Sequence, residues 1–295
     1  MRGYWAAGPG CTESPGKPGS AKNLPARRSL PAPCGSRPGR RVIHPSAVIG
    51  PEVEVGPGCE VGPFCSLSGR VRLGRDCRLA AGVVIGAEPM DRHYTSEETE
   101  VVIGERNVFH EYASVHRATG AGNRTVIGRG NRVMAYVHIA HNCRVGDNCV
   151  ITNACQLGGH VEIGDGANLG GLVGIHQHCR VGTLAMVGAW TYVNRDIPPF
   201  LLAEGRPCRV RGLNSVGLDR AGVAPGARAV LKKAYRLMYR SRLGLSAAVE
   251  AIKRDLLPEA AERGGEELLH CLFSFIVTSG RGIEMRAREE ETEEA

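Results

Sequence analysis

Five histidines, His138, His141, His160, His176 and His178, fall within 41 residues of this chain. Imidazoles at that density can do two kinds of chemistry. A neutral ring with an unperturbed pKa of about 6.5 takes up and returns a proton during group transfer, and several converging rings hold a metal ion. A single exterior histidine is an ordinary solvated residue. Five that converge make a site, so the question is which element brings them together. His141, Gly159 and Gln177 are spaced by 18, which points to an element that repeats at that interval.

That element is visible in the apolar residues. From Ile43 to Val193 one returns at almost every sixth position, broken only at 91, 97 and 121, and glycine often follows it, as in Ile49-Gly50, Val145-Gly146 and Ile163-Gly164. A period of six fits neither an α-helix nor a helical repeat. It fits short strands separated by tight turns and stacked as a parallel β-helix. Three hexapeptides form one triangular coil, coils stack roughly 4.8 Å apart, and residues 18 apart lie over one another. On this geometry the hexads starting at 139, 157 and 175 share a face. His141, Gly159 and Gln177 stand in a column there, with His160 and His176 beside it and His138 at the corner just before. The two interruptions, near 86–102 and 117–126, must loop out, and loops on a rigid scaffold commonly carry binding groups. Asp91 and His93 in the first and His116 at the start of the second are the candidates.

The remaining composition supports the same organisation. Seven of the 11 cysteines (Cys59, Cys65, Cys77, Cys143, Cys149, Cys155 and Cys179) sit four residues after the apolar position. This phase makes them small core residues rather than disulfides or ligands, and it points to a reducing compartment. Residues 1–41 carry eight basic residues against the single acid Glu13, together with seven of the 17 prolines. They read as a disordered extension or an upstream start, because the prolines oppose the amphipathic helix of a transit peptide. The rest of the chain balances at 29 basic and 29 acidic residues (37 less 8 and 30 less 1). The net charge of +7 therefore does not indicate a nucleic-acid surface. No run of 18 apolar residues exists, so no membrane span is expected. The β-helix is expected over 42–198 and a small helical domain over 199–286, followed by an acidic tail at 287–295. Within the helical domain, Ala227–Tyr239 has an amphipathic pattern. A second helix is expected from Ala247, capped by Ser246, to a stop at Pro258, and a third over Glu266–Thr278.

The stretch Val137-His138-Ile139-Ala140-His141-Asn142-Cys143-Arg144-Val145-Gly146 resembles the active-site segment of the UDP-N-acetylglucosamine acyltransferases that begin lipid A synthesis. The same family is matched, in order from residue 42 to 283, by Glu88-Pro89-Met90-Asp91, Val115-His116-Arg117, Leu157-Gly158-Gly159-His160, Ile175-His176-Gln177, Ile197-Pro198-Pro199-Phe200, Gly212-Leu213-Asn214 and Ser279-Gly280-Arg281-Gly282. The resemblance implies an all-β left-handed parallel β-helix with a small C-terminal α-helical domain, a homotrimer with sites between subunits, a cytoplasmic location and no cofactor or metal. It also implies transfer of an R-3-hydroxyacyl group from acyl carrier protein to the 3-hydroxyl of UDP-N-acetylglucosamine, without an acyl-enzyme. His141 would be the general base and Gly159 the oxyanion donor. Asp91, His93, His116, His138, His160, His176 and Gln177 would hold sugar and phosphates, Asn214 and Arg220 the nucleotide, and Ala189 would set acyl length. The basic face of the helix near 227–239, with Arg228, Lys232, Lys233, Arg236 and Arg240, is the surface expected for the acidic acyl carrier protein.

Four residues depart from the family pattern. Asn142 stands where aspartate is usual, His93 where lysine is usual, Ala221 in place of a second arginine, and Ala189 in place of glycine. Three alternatives remain at this stage. The acceptor could be an amine on a UDP-amino sugar, the chain could be a noncatalytic trimeric binding module, or it could be a zinc carbonic anhydrase on the same fold. The last needs histidines five apart, which this chain lacks.

Overall fold

A computed structural model describes residues 41–285 of the chain. The expected N-terminal extension, apart from Arg41, and the acidic tail lie outside the described residues. Three parallel sheets form the walls of a prism, with ten strands in sheet A, eight in sheet B and seven in sheet C. The chain visits them in turn as a left-handed parallel β-helix. Most strands contain only the residue before the apolar position and the apolar residue itself, as in His138–Ile139 and Gln156–Leu157. The apolar residue points into the prism, where Ile85, Val115, Ile139 and Leu157 are all fully buried. The seven phased cysteines are free thiols in that same core. Among the described residues, no helix is long and apolar enough to cross a membrane.

The register explains why the rhythm survives its interruptions. Neighbouring coils are normally 18 apart, as in Val42↔Glu60, but one step runs from Arg78 to Val108 and the next from Val108 to Arg132. These steps of 30 and 24 exceed 18 by 12 and 6. Two extra hexads account for the gaps at 91 and 97, and one for the gap at 121, so the phase is preserved. The loops are shorter than expected, covering 88–99 and 117–123, because the strands Val84–Ala87, Glu100–Ile103 and Arg124–Ile127 extend into them. Within these enlarged coils asparagines replace cysteine in the core. Asn107, fully buried, donates through Nδ2 to the Gly104 and Gly128 carbonyls and accepts the Asn131 N–H, while Asn131 accepts the Cys149 N–H.

Sheet A does not end at 198. Leu201–Glu204 pairs with Met186–Val187 and then, antiparallel, with Arg209–Leu213. A short helix α1 (Ser215–Arg220) follows that the sequence pattern did not show, with Asn214 as its N-cap. Helix α2 covers Pro225–Tyr239 and α4 Glu266–Val277. Helix α3 corrects two expectations. It spans Leu245–Arg263, starting after Gly244 without a Ser246 cap and continuing through Pro258 to a left-handed Gly264. Its buried face, from Ala248 through Ile252 and Leu256 to Ala260, crosses the proline without a break, and packing there outweighs the lost backbone bond. The chain then returns to the β-helix, where the buried Asp196 accepts from the Ser279 hydroxyl and the Arg180 N–H.

Replacing Asn107 with Ala leaves the Gly128 carbonyl and the Asn131 N–H unpaired, each worth about 1–3 kcal/mol, while the Gly104 carbonyl keeps the Cys77 thiol. The expected loss is at least about 2 kcal/mol in urea unfolding; a change below about 1 kcal/mol would show that water or neighbouring groups replace the amide.

Candidate active site

Both loops leave the prism at the same corner, between sheets B and C. The three turns above them at that corner are the ones that carry the histidines. They join His138–Ile139 to Arg144–Val145, Gln156–Leu157 to Glu162–Ile163, and Gly174–Ile175 to Arg180–Val181. The column His141, Gly159, Gln177 exists, but on a corner rather than a face. His138 is on the outer side of sheet B rather than at the corner. The expected placements are exchanged because each strand ends at the apolar residue and leaves four residues for the turn.

His141 is held in one tautomer. The Asn142 amide pairs with Thr119 of the second loop at two points: Nδ2 donates to the Thr119 carbonyl (3.0 Å), and Oδ1 accepts the Thr119 N–H (2.9 Å). That arrangement turns Oδ1 toward Nδ1 of His141, 2.9 Å away. An amide oxygen only accepts, so the proton sits on Nδ1 and the Nε2 lone pair is free. Nε2 faces the Asp91 carboxylate at 3.9 Å, too far for a direct bond and close enough for one hydroxyl to reach both. Gly159 lies against the same ring, where a Cβ would come within 2.5 Å of Cε1 and Nε2. Its carbonyl accepts the His178 N–H (3.0 Å), and among the described residues its own N–H has no acceptor.

The neighbouring groups are held by burial and by hydrogen bonds. Burial, followed by the neighbouring His116 and His141, pushes His138 down to about 4, so it is neutral near pH 7 while its Nδ1 pairs with the Ser114 hydroxyl at 2.9 Å. His160 is lowered for the same primary reason. His116 and His176 each donate Nδ1–H to a backbone carbonyl, of Glu88 and of Gln177, which leaves Nε2 as an acceptor. Asp91 is held below the usual carboxylate range, chiefly by the His93 N–H. The His93 ring also contacts Asp91 at 3.0 Å and is largely solvated.

Two residues that hold the first loop were assigned no role in the sequence analysis, although Arg117 lies in the matched segment Val115-His116-Arg117. Glu97 accepts the Gly120 N–H and is held at about 2, chiefly by that bond, which ties the two loops together. Arg117 donates to the Gly86 carbonyl and the Tyr94 hydroxyl over a side-chain-free Gly69.

Three expected site residues are not on this corner in the protomer. Asn214 donates to the Leu184 carbonyl at the corner between sheets C and A, and its Oδ1 caps α1 by accepting the Gly217 N–H. Both ends of its amide are therefore used structurally. Arg220 is exposed at the end of α1, and Ala189 is in a turn between sheets A and B. A groove of about 730 Å³ runs along sheet A near Val42, Glu60, Arg78 and Val108, away from the corner that carries His141, although His44 and His110 line it. Among the described residues no His, Cys, Asp or Glu cluster could hold a metal ion. The rings of His141 and His160 meet edge-on at 89°, and those of His160 and His178 stack at 16°.

Residues 196–284 match the family model described as Udp N-acetylglucosamine O-acyltransferase, domain 2, and residues 53–87 and 124–159 match the bacterial transferase hexapeptide model. A protein of Paracidovorax citrulli named acyl-[acyl-carrier-protein]–UDP-N-acetylglucosamine O-acyltransferase is 48% identical over 211 residues, 71% of this chain and 79% of that protein. A protein of the same name from Gloeothece citriformis is 44% identical over 187 residues, 63% and 68% of the two chains. The crystal structure of UDP-N-acetylglucosamine acyltransferase from Bacteroides fragilis superposes with a TM-score of 0.72 at 30% identity, covering 82% of this chain and 99% of that one. The corresponding structure from Moraxella catarrhalis gives 0.65 at 32%, covering 82% and 95%.

Two outcomes follow from this geometry. Gly159→Ala should move the His141 ring and lower turnover at least about 100-fold, the lower range for a lost general base, with an unchanged melting temperature; near-normal turnover would show that the ring need not lie there. A histidine whose folded pKa is depressed lets the unfolded chain bind more protons between the two values. The His138 contribution is therefore complete above about pH 6.5 and is lost as pH falls toward about 4. Melting curves of His138→Gln should decline less than those of the unsubstituted protein across that window, and parallel declines would assign the acid sensitivity elsewhere.

Proposed function

This chain belongs to the UDP-N-acetylglucosamine O-acyltransferase family, and we propose that it transfers an R-3-hydroxyacyl group from acyl carrier protein to the 3-hydroxyl of UDP-N-acetylglucosamine, using His141 as general base. The reading is carried by one observation: Nε2 of His141 has a free lone pair, fixed by Asn142, that faces Asp91 across a gap wide enough for one hydroxyl. The sugar hydroxyl lies between them. Nε2 takes its proton as the oxygen attacks the thioester carbonyl, and the charge that develops on the carbonyl oxygen meets the Gly159 N–H. Collapse expels the carrier thiolate, which recovers the proton from His141. A positioned base is worth roughly a hundred- to ten-thousand-fold, and one oxyanion donor about 3 kcal/mol.

Direct transfer, without an acyl-enzyme, is supported by the nucleophiles nearby. Burial pushes the Cys143 thiol, two residues from His141, up to about 12. The Ser114 hydroxyl pairs with His138, whose depressed pKa of about 4 makes it a weak base. Asp91, His93, His116, His138, His160, His176 and Gln177 surround the acceptor pocket. Asn142 orients the base as aspartate would, but it brings no charge to stabilise the imidazolium.

A homotrimer with shared sites accounts for what one protomer leaves apart. Asn214, Arg220 and Ala189 are away from the histidine corner and reach a site only from a neighbouring copy. The corner between sheets A and B exposes Phe64, Tyr112, Tyr136, Leu172 and Trp190 as an apolar ladder, which a second copy would cover. On α2, Lys232, Arg236 and Arg240 are exposed, whereas Lys233 pairs with Glu259 and Arg228 with Asp219. They form the basic landing surface for acyl carrier protein. A cytoplasmic location fits the free, buried thiols.

Mass spectrometry of reactions containing UDP-N-acetylglucosamine, or its 3-amino analogue, with a ladder of 3-hydroxyacyl carriers tests the reading. The expected result is an ester of the hydroxyl acceptor, no acylated protein, and turnover reduced at least about 100-fold in His141→Ala. Acylation of the amine alone would make the acceptor an amino sugar, and unchanged turnover in His141→Ala would leave a binding module with adventitious activity.

A further inference from the structure

The His160 N–H donates to the His141 carbonyl at 3.0 Å, but its imidazole ring has no hydrogen-bond partner among the described residues, so the ring's orientation beside His141 must be set by packing. Two ring contacts are present. On one side its imidazole meets His141 edge-on, at 5.3 Å and 89°. On the other it lies nearly parallel to His178, at 4.5 Å and 16°. The backbone makes the stack possible. Asn142, His160 and His178 occupy the same turn position on three successive coils, with φ of 61, 60 and 63°, and the His178 N–H donates to the Gly159 carbonyl at 3.0 Å. Side chains leaving equivalent positions on stacked coils run parallel, so two aromatic rings there stack face to face. Asn142, the first of the three, instead turns its amide to His141 and Thr119.

We infer that His178 is a positioning residue, whose ring backs His160 and keeps it edge-on to His141 and presented to the acceptor sugar. This role rests on the acyltransferase reading above. It requires an aromatic ring at position 178 and makes no use of the imidazole nitrogens. Phenylalanine can supply that ring, since Phe64 and Phe200 already adopt φ of 57 and 70° in this chain. Asparagine also tolerates the left-handed backbone but has no ring.

His178→Phe and His178→Asn therefore separate stacking from folding and from hydrogen bonding. Each full-length variant is assayed for kcat and KM with UDP-N-acetylglucosamine, and the His160 Cε1 proton is followed by NMR in protein with labelled histidine. Asn is expected to lower kcat/KM for the sugar nucleotide roughly 3- to 10-fold, the range of a lost aromatic pair, with KM for acyl carrier protein unchanged. The His160 proton should lose its upfield ring-current shift. Phe should keep that shift and stay within about two-fold of the unsubstituted protein. The proposal is overturned if Asn matches the unsubstituted protein in kcat/KM, if Phe is as impaired as Asn, or if the proton shift is the same in all three. A lack of transfer by the unsubstituted protein from every donor would instead remove the acyltransferase reading, and this role with it.

Discussion

The backbone ladder between successive coils is the constraint on which the rest of this protein depends. Each short strand pairs with the strand one coil away in fixed register, and at several turns a side chain just after the apolar position would strike the next coil. A Cβ on Gly74 would sit 2.6 Å from the Gly104 carbonyl carbon, and one on Gly104 2.8 Å from the Gly128 carbonyl oxygen. Glycine at those positions lets the coils close to strand-pairing distance. That closeness places His141, Gly159 and Gln177 in one column and brings the rings of His160 and His178 to 4.5 Å.

The candidate site is built where this regularity is broken. Both insertions leave at the corner between sheets B and C, below the histidine turns, and each contributes a contact the repeat could not make. The second loop brings Thr119 to Asn142 and so sets the proton on His141. The first brings Asp91 to the other nitrogen. Glu97 and Arg117 join the loops to each other and to the prism, so the carboxylate and the imidazole belong to one rigid unit. The same crowding that positions the rings also pushes the pKa values of His138 and His160 down, so both resist protonation. An uncharged surround favours a base that must gain a proton during the reaction, because each neighbouring cation would lower its basicity.

Much of this was legible from spacing. The period of six, the core cysteines such as Cys143 and Cys155, the column of His141, Gly159 and Gln177, and the two interruptions are all properties of position along the chain. The corner was not. His138 and His141 are three residues apart, and periodicity alone does not say which of them lies on a wall and which on a turn; the two-residue length of the strands decides it. The continuation of α3 through Pro258 was equally hidden, since the local cost of proline is visible in the sequence and the compensating buried face is not. Asn214 shows a related limit: spacing does not reveal that its amide caps α1 and donates to the Leu184 carbonyl.

By itself the sequence determined the fold class, the stacking interval, the buried positions and the set of residues that could do chemistry, because a period repeated over 150 residues encodes all of them locally. Only the tertiary structure decided which tautomer His141 adopts, which histidines have lowered pKa values, how far Asp91 stands from the base, and which predicted residues are absent from the site of a single protomer. Those outcomes depend on contacts between residues such as Thr119 and Asn142, 23 apart in the chain, and on burial summed over several coils. Neither quantity has a local signature that spacing or composition can carry.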